Sequence, residues 1–129
     1  MKKAINICII VVFLIAICAV EQILSTTYLK EVEIRVDEIY ENFASLEDIN
    51  DTLLISKTSE LENYWTDKEN VLCNFVNHKD IEDIGVEINK LHTAIKNNNK
   101  IQFDESLNLI RFYLDAYKHV VGISAQNVF

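Results

Sequence analysis

The feature that most constrains this chain is an uncharged run of seventeen residues, Ala4–Val20, which directly follows Lys2 and Lys3. Asn6 is the one strongly polar side chain in the run. Such a run is costly to leave in water, and as a helix it rises about 25 Å, most of the ~30 Å hydrocarbon layer of a bilayer. The run therefore predicts an N-terminal membrane anchor, which we place at residues 1–24.

Two other interpretations of the run stay open from the residues alone. A charged start, an apolar middle and small residues such as Ala16 and Ala19 also suit a cleaved secretion signal. Against cleavage, the run exceeds the usual length of roughly 7–15 residues, resumes at Ile23 and contains no proline or glycine. A lipoprotein acylated at Cys18 is the third interpretation, although the bulky Ile17 precedes that cysteine where a small residue is wanted.

The distribution of charge predicts how the anchor is oriented. Lys2 and Lys3 precede the run and the next cation is Lys30, so the positive-inside rule places the N-terminus in the cytoplasm. Residues 25–129 are then expected on the outer side of the cell membrane. All 20 carboxylates but only 10 of the 12 cations follow the run, a net charge of −10. Because so acidic a surface repels phosphate backbones, we expect no nucleic-acid partner.

Composition favours helices for the outer domain. Proline is absent and the only glycines are Gly85 and Gly122, whereas turn-rich β folds need more of both. Cys8 and Cys18 stand about 15 Å apart along one helix and cannot bond to each other. Cys73 is then the only thiol of the outer domain, and we interpret it as a small apolar core residue.

Apolar residues recur at helical spacing in four stretches, of which two precede residue 77. The first, about residues 25–43, continues from the anchor without a breaker, and its apolar face consists of Val32, Val36, Ile39, Phe43 and Leu46. The face of the second, about residues 46–76, consists of Leu54, Leu61, Trp65, Leu72 and Phe75. Ser59 and Glu62 have the spacing of a capping box, so a helix restart there stays open.

The third stretch covers about residues 81–96. Its apolar face consists of Ile81, Ile84, Ile88, Leu91 and Ile95. Asp80 is the expected N-cap, because its carboxylate would meet the free N–H groups of the first turn. Gly85 weakens a helix interior, so we expect it to mark a place where another helix crosses closely.

The triplet Asn97–Asn99 predicts a turn, with Asn99 capping the fourth stretch at about residues 101–121. The apolar face of this stretch consists of Phe103, Leu107, Ile110, Leu114, Tyr117 and Val121, and Gly122 is expected to end it. Every face is too apolar for water, so the faces must pack together. We predict an all-α fold, a single N-terminal transmembrane helix followed by an antiparallel helical hairpin or bundle of about four helices, with Trp65 as an anchor of its core.

Short motifs follow one another in a set order: Glu21 at the outer end of the run, Trp65, His78-Lys79-Asp80-Ile81, Glu82-Asp83-Ile84, the turn 97–100 and Asn127-Val128-Phe129. In this order the chain resembles a bacterial family of membrane proteins known as domain of unknown function 4363. The family often carries a further tryptophan where this chain has Val71 and Leu72. The resemblance implies the topology and the helical fold, and it brings no activity, ligand or catalytic residue.

The best group of metal-ligand side chains is His78, Asp80, Glu82 and Asp83. His78 and Glu82 would share a helix face, yet a structural zinc site needs about four ligands, and helix capping and solvated charge account for the stretch. The chain contains no nucleophile elbow and no phosphate loop. We therefore assign no catalytic, cofactor-binding or metal residue and expect that the chain is not an enzyme.

These observations predict a non-catalytic protein-interaction module, anchored by a single pass on the outer side of the cytoplasmic membrane. Its expected partners are the lipid bilayer, through residues 4–24, and another membrane protein, while a homo-oligomer stays open. The alternative is a ligand-sensing or secreted helical domain that acts through a partner, with the N-terminal run as a cleaved signal.

Overall fold

In the computed structural model, which describes the backbone of residues 1–128 and the side chains of residues 1–120, every regular element is an α-helix. The helices are α1 (Lys2–Ala44), α2 (Thr52–Phe75), α3 (His78–Lys96) and α4 (Lys100–Val128). Short links make consecutive helices antiparallel, and each helix packs against two others in the closed order α1, α2, α3, α4, α1. The predicted all-α fold is confirmed, and the apolar faces form the interior of a four-helix bundle.

The first helix, α1, is unbroken from the N-terminal run into the bundle. Within residues 1–128 it is the one helix long and apolar enough to cross a membrane, and none of its most apolar window is buried inside the protein. Ser25 is the first residue of α1 to be buried, and the core-facing residues after it are Leu29, Val32, Val36, Ile39 and Phe43. One helix thus combines an uncovered apolar half with a half that belongs to the core.

The predicted apolar faces form the core almost throughout. Its most enclosed large side chains include Ile39, Leu54, Leu61, Leu72, Ile81, Ile84, Ile88, Leu91, Phe103, Leu107 and Ile110. Burying one such side chain contributes roughly 1.5–3 kcal/mol. Phe75 is the exception, because it is 38% exposed at the end of α2. The side chain of Val121, predicted for the same core, lies outside the described residues.

Trp65 and Gly85 form the closest crossing in the core, between α2 and α3. Trp65 is 3% exposed, and a Cβ atom added to Gly85 would lie 2.8 Å from the indole Nε1. No real side chain tolerates that distance without a shift, so glycine is the residue that allows the indole to lie on the α3 backbone. The close crossing predicted at Gly85 and the anchoring role predicted for Trp65 are both confirmed.

The expected start of the second helix at residue 46 is wrong, because α2 begins only at Thr52. Asp51 is the N-cap, and its Oδ1 accepts hydrogen bonds from the N–H groups of Leu53 and Leu54 at 3.0 and 3.1 Å. The preceding link buries Ile49. No restart occurs at Ser59, which lies inside α2. Because the Asp51 carboxylate already caps the first turn of α2, the helix needs no second N-cap at Ser59.

Two further helix ends differ from the expectation. The N-cap of α3 is Asn77 and not Asp80, since the Asn77 Oδ1 accepts from the Lys79 N–H at 3.1 Å and Asp80 lies in the first turn. α4 continues past Gly122 to Val128. A single glycine costs a helix about 1 kcal/mol, which the rest of a long helix readily outweighs.

The asparagine turn has the predicted geometry. Asn98 takes a positive φ of 49°, which asparagine tolerates better than most residues. The Asn99 Oδ1 accepts a hydrogen bond from the Gln102 N–H at 3.1 Å, so Asn99 caps α4 as expected. This turn and the link before α2 share one end of the bundle, because the Lys100 Nζ donates to the Leu46 carbonyl oxygen at 3.1 Å.

We expect Gly85→Ala to lower the free energy of unfolding by about 1 kcal/mol. The clash with the indole costs roughly 1–3 kcal/mol, and the gain in helix propensity offsets up to ~1 kcal/mol of it. Urea denaturation of the detergent-solubilised protein, followed by far-UV circular dichroism, measures the change. The matched control is Gly85→Ala in a Trp65→Phe background, where the smaller ring leaves room for the methyl group. An equal loss in both backgrounds would show that the crossing is not the cause.

Candidate functional site

A groove opens at the end of the bundle where α1 leaves toward its apolar half, and we name it the basal groove. It encloses about 490 Å³ and draws residues from all four helices and from the link between α2 and α3. Three aromatic side chains line it, Phe75, Tyr113 and Tyr117, and Cys18 of the apolar run forms part of its wall. The groove therefore lies at the boundary between the bundle and the apolar half of α1.

The charged side chains that the structure describes in the basal groove are all carboxylates. Glu21 and Asp80 supply two carboxylates, and within the described residues no lysine, arginine or histidine lines the groove. Ser25 is 3% exposed, and its Oγ has no hydrogen-bond partner in the described part of the chain. Burial raises the pKa of Tyr117 above its ordinary value, so its phenol is neutral over the physiological range. The groove can thus offer hydroxyl groups, aromatic faces and negative charge.

The interface between α1 and α4 is joined by charged pairs. The Arg111 Nε lies 3.4 Å from an Asp37 carboxylate oxygen, and its guanidinium is centred 4.1 Å from the Tyr40 ring. Lys118 donates to the Glu33 carboxylate, and this hydrogen bond lowers the pKa of Glu33 below its ordinary value. The pairs hold the last helix against the first.

The outer face of α4 carries an exposed apolar row, which we name the α4 stripe: Leu109, Phe112, Ala116 and Val120. Phe112 and Val120 are each 64% exposed and Leu109 is 39% exposed. Spacings of three and four place these side chains on one exposed helix face, about 16 Å long. Ala116 and Val120 also line the basal groove, so the stripe ends there.

The segment His78 to Asp83 does not assemble a metal centre. His78, Asp80 and Glu82 are exposed, and Lys79 pairs with Asp83 at 3.3 Å. No group of three or more metal-ligand side chains comes together within residues 1–128. Asp80 alone of this segment contributes to the basal groove.

Cys73 is half-buried and packs against the core. Burial and the nearby carboxylates of Glu69 and Glu82 raise the pKa of its thiol above the ordinary value. Since the thiolate is the reactive form, the raised pKa keeps Cys73 a weak nucleophile and suits the apolar packing role predicted for it.

Both surfaces escaped the sequence analysis. Glu21 was noted only at the outer end of the run and Asp80 only as a cap or metal ligand, and nothing local links them to Tyr113 or Ser25. The α4 stripe did leave a signal, since Leu109, Phe112, Ala116 and Val120 recur at helical spacing. That row lies apart from the buried face of the same helix, and a search for one apolar face per helix passes over it.

Together the fold and these surfaces define a class: a four-helix bundle whose first helix continues as an apolar helix of membrane-spanning length. The family model for a domain of unknown function (DUF4363) matches residues 54–128, so this chain belongs to that family. The match covers most of α2 and all of α3 and α4, with Trp65, the segment 78–84 and the asparagine turn; it does not include α1. Searches against curated proteins and against solved structures found no match.

We expect the Glu33–Lys118 pair to make stability depend on acid pH. Because the pKa of Glu33 is lowered from 4.5 in the fold, its stabilising contribution is complete above about pH 4.5 and is lost as pH falls through the lower value. Glu33→Gln should reduce the free energy of unfolding by about 0.5 kcal/mol at pH 7 and by less at pH 3. Urea denaturation at both pH values tests this, with Glu41→Gln, an exposed carboxylate of the same helix, as the control. An equal effect of Glu33→Gln at pH 3 and pH 7 would contradict the assignment.

Proposed function

We propose that this protein is a single-pass, non-catalytic interaction module, held on the outer side of the cytoplasmic membrane, which docks a helix of another membrane protein along the α4 stripe. The observation that carries the proposal is that stripe: an apolar face of one helix, exposed beside an apolar anchor. A chain of this design acts by holding a partner in place.

The continuity of α1 supports an anchor that is retained. α1 is one continuous helix from the apolar run into the bundle, whereas cleavage of a signal requires an accessible, extended site. Cys18, Glu21 and Gln22 also form part of the basal groove, so the outer end of the run contributes to the folded domain. Removal of the residues before Glu21 would remove Cys18 from the lining of that groove.

The direction of the α4 stripe supports a partner that shares the membrane. α4 lies alongside α1, and the stripe ends at the basal groove, beside the outer end of the apolar run. A straight helix that emerges from the bilayer next to α1 would lie against the stripe without bending. Such a helix buries apolar side chains at positions spaced by three and four, as in other helix-on-groove contacts.

Charge selects the kind of partner. Asp104, Glu105 and Asp115 are exposed on α4 close to the stripe, while the cation Arg111 is already engaged by Asp37. A second copy of this chain would bring the same carboxylates against these, which is unfavourable. We therefore propose a different protein as the partner, with neutral or basic residues beside its apolar docking face.

The proposed topology predicts the accessibility of two introduced thiols to a membrane-impermeant maleimide in sealed spheroplasts. In a chain whose three cysteines are replaced by alanine, Glu41→Cys should react at once, and Lys2→Cys only after the membrane is permeabilised. Position 41 is exposed near the far end of α1 and position 2 precedes the run, so the pair reports both sides. Immediate reaction of Lys2→Cys with protection of Glu41→Cys would reverse the orientation.

The mass of the membrane-extracted protein separates the anchor from the alternative signal. A retained anchor gives the full-length mass and resists alkaline carbonate extraction. A species that starts near Val20 or Glu21 would show that the run is a signal, and the secreted alternative would then replace this proposal.

The docking surface predicts where the protein crosslinks in intact cells. A photoreactive residue at Leu109 or Phe112 should give one shared adduct that remains in the membrane after carbonate extraction. The same residue at Val86, which is 46% exposed on α3 away from the stripe, should give none. Phe112→Ser should abolish the adduct formed at position 109 without changing the helical content, because it removes the most exposed ring of the docking face.

Three outcomes would contradict the docking proposal. The first is an adduct twice the mass of this chain, which would make the stripe a contact between copies. The second is equal adduct formation at Val86 and Phe112. The third is a position-109 adduct that survives Phe112→Ser.

A further inference from the structure

We propose that the basal groove binds an organic ammonium group, held between the rings of Phe75, Tyr113 and Tyr117 and the carboxylates of Glu21 and Asp80. The basal groove shares Ala116 and Val120 with the α4 stripe, but none of the residues that would hold the ammonium group belongs to the stripe, so the two proposals are tested by different substitutions. Neither the family match nor the docking proposal assigns a ligand to this groove.

The aromatic lining supports a cation. Phe75 comes from the end of α2, and Tyr113 and Tyr117 lie one turn apart on α4, so the rings approach the groove from two helices. The faces of aromatic rings carry negative potential and attract ammonium groups, most strongly when the cation is shielded from water. Several rings around one enclosed volume are the arrangement by which proteins hold alkylated ammonium ions.

The charges of the groove exclude the opposite kind of ligand. Glu21 and Asp80 form no ion pair within residues 1–128, and no lysine, arginine or histidine among those residues lines the groove. A phosphate or carboxylate ligand would face two uncompensated negative charges. An ammonium group offsets one of the two negative charges instead, and the carboxylates favour its charged form as it leaves water.

Ser25 adds a buried, unpartnered hydroxyl group to the lining of this groove. Its hydroxyl is almost fully buried, lines the groove and lacks a hydrogen-bond partner in the described chain, although serine in a helix readily bonds to the carbonyl four residues earlier. A buried polar group left unsatisfied costs roughly 1–3 kcal/mol. A primary ammonium group can donate a hydrogen bond to the Ser25 Oγ.

Because of where the groove lies, an ammonium group can reach it from two sources, a lipid headgroup or the solution. It lies beside the outer end of the apolar run, at the level where lipid headgroups stand if α1 spans the membrane. The ammonium of an amine-bearing lipid and that of a free amine in solution would satisfy the same rings and carboxylates. A competition experiment distinguishes them.

The test uses the full-length protein in dodecyl maltoside micelles, which carry no charge and no ammonium group. Isothermal titration with butyltrimethylammonium should show saturable binding, whereas butanesulfonate and 1-butanol should show none. Glu21→Gln combined with Asp80→Asn should weaken the binding by about threefold to tenfold, the range for losing one to two partly exposed charge pairs. The control, Glu41→Gln with Glu47→Gln, removes the same charge from exposed positions outside the groove and should leave the affinity unchanged.

Two results would overturn the proposal. One is equal binding of the cation, the sulfonate and the alcohol, which would show partition into the micelle. The other is a groove variant that binds as tightly as the control, since the carboxylates would then have no role. Circular dichroism of both double variants shows whether the bundle is intact, and Ser25→Ala provides a second substitution in the groove that retains every charge.

The two sources are then separated in lipid nanodiscs. At a constant fraction of anionic lipid, replacing an uncharged glycolipid with phosphatidylethanolamine should raise the apparent Kd for butyltrimethylammonium when the lipid headgroup occupies the groove, because the glycolipid carries no ammonium group. An unchanged Kd assigns the site to a soluble amine. Because these titrations contain no partner protein, failure of the crosslinking experiment leaves their outcome unaffected.

Discussion

The structure depends on the unbroken helix α1, because one rigid element must satisfy two environments. Its first half is uncovered and apolar, and from Ser25 onward the same helix contributes a full stripe to the core. No proline or glycine interrupts its hydrogen bonds. The basal groove and the lower end of the α4 stripe lie at the point where this helix leaves the bundle, so their positions follow from its continuity.

The interfaces between neighbouring helices differ in chemistry. α2 and α3 meet at the Trp65–Gly85 crossing, where a large ring lies on bare backbone, and this contact permits little movement. α1 and α4 are joined by paired charges with exposed portions, Arg111 with Asp37 and Lys118 with Glu33. Exposed ion pairs contribute little to stability, while packed rings contribute several kcal/mol. The contact between α1 and α4 also contains a packed ring pair, Phe43 and Phe103, with centroids 5.0 Å apart, and it borders the face that we propose for docking.

Family membership rests on residues 54–128, the part that contains Trp65, Gly85 and most of the basal groove, while α1 stands outside the matched range. The helical faces and the asparagine cap were predictable, because they depend on residues close in sequence. The crossing at Gly85 was predictable because only glycine lacks the Cβ atom that would keep another helix away. The start of α2 was not, because Asp51 competes with several other polar residues as a cap and Ile49 is buried only by the completed bundle. The extension of α4 past Gly122 was missed for a related reason, since a glycine is a weak signal within a long helix.

The amino-acid sequence by itself determined the helical class, the four stripes, the apolar N-terminal half of α1 and the acidic character of the remainder. These properties follow from local propensity and from a period of 3.6 residues, which need no knowledge of neighbours. The tertiary structure decided which side chains meet: Glu21, Ser25, Asp80 and Tyr117, far apart in the chain, share one groove. It also decided that one face of α4 stays uncovered. Both outcomes depend on which helices pack side by side, and that arrangement is set by the fit of the complete core.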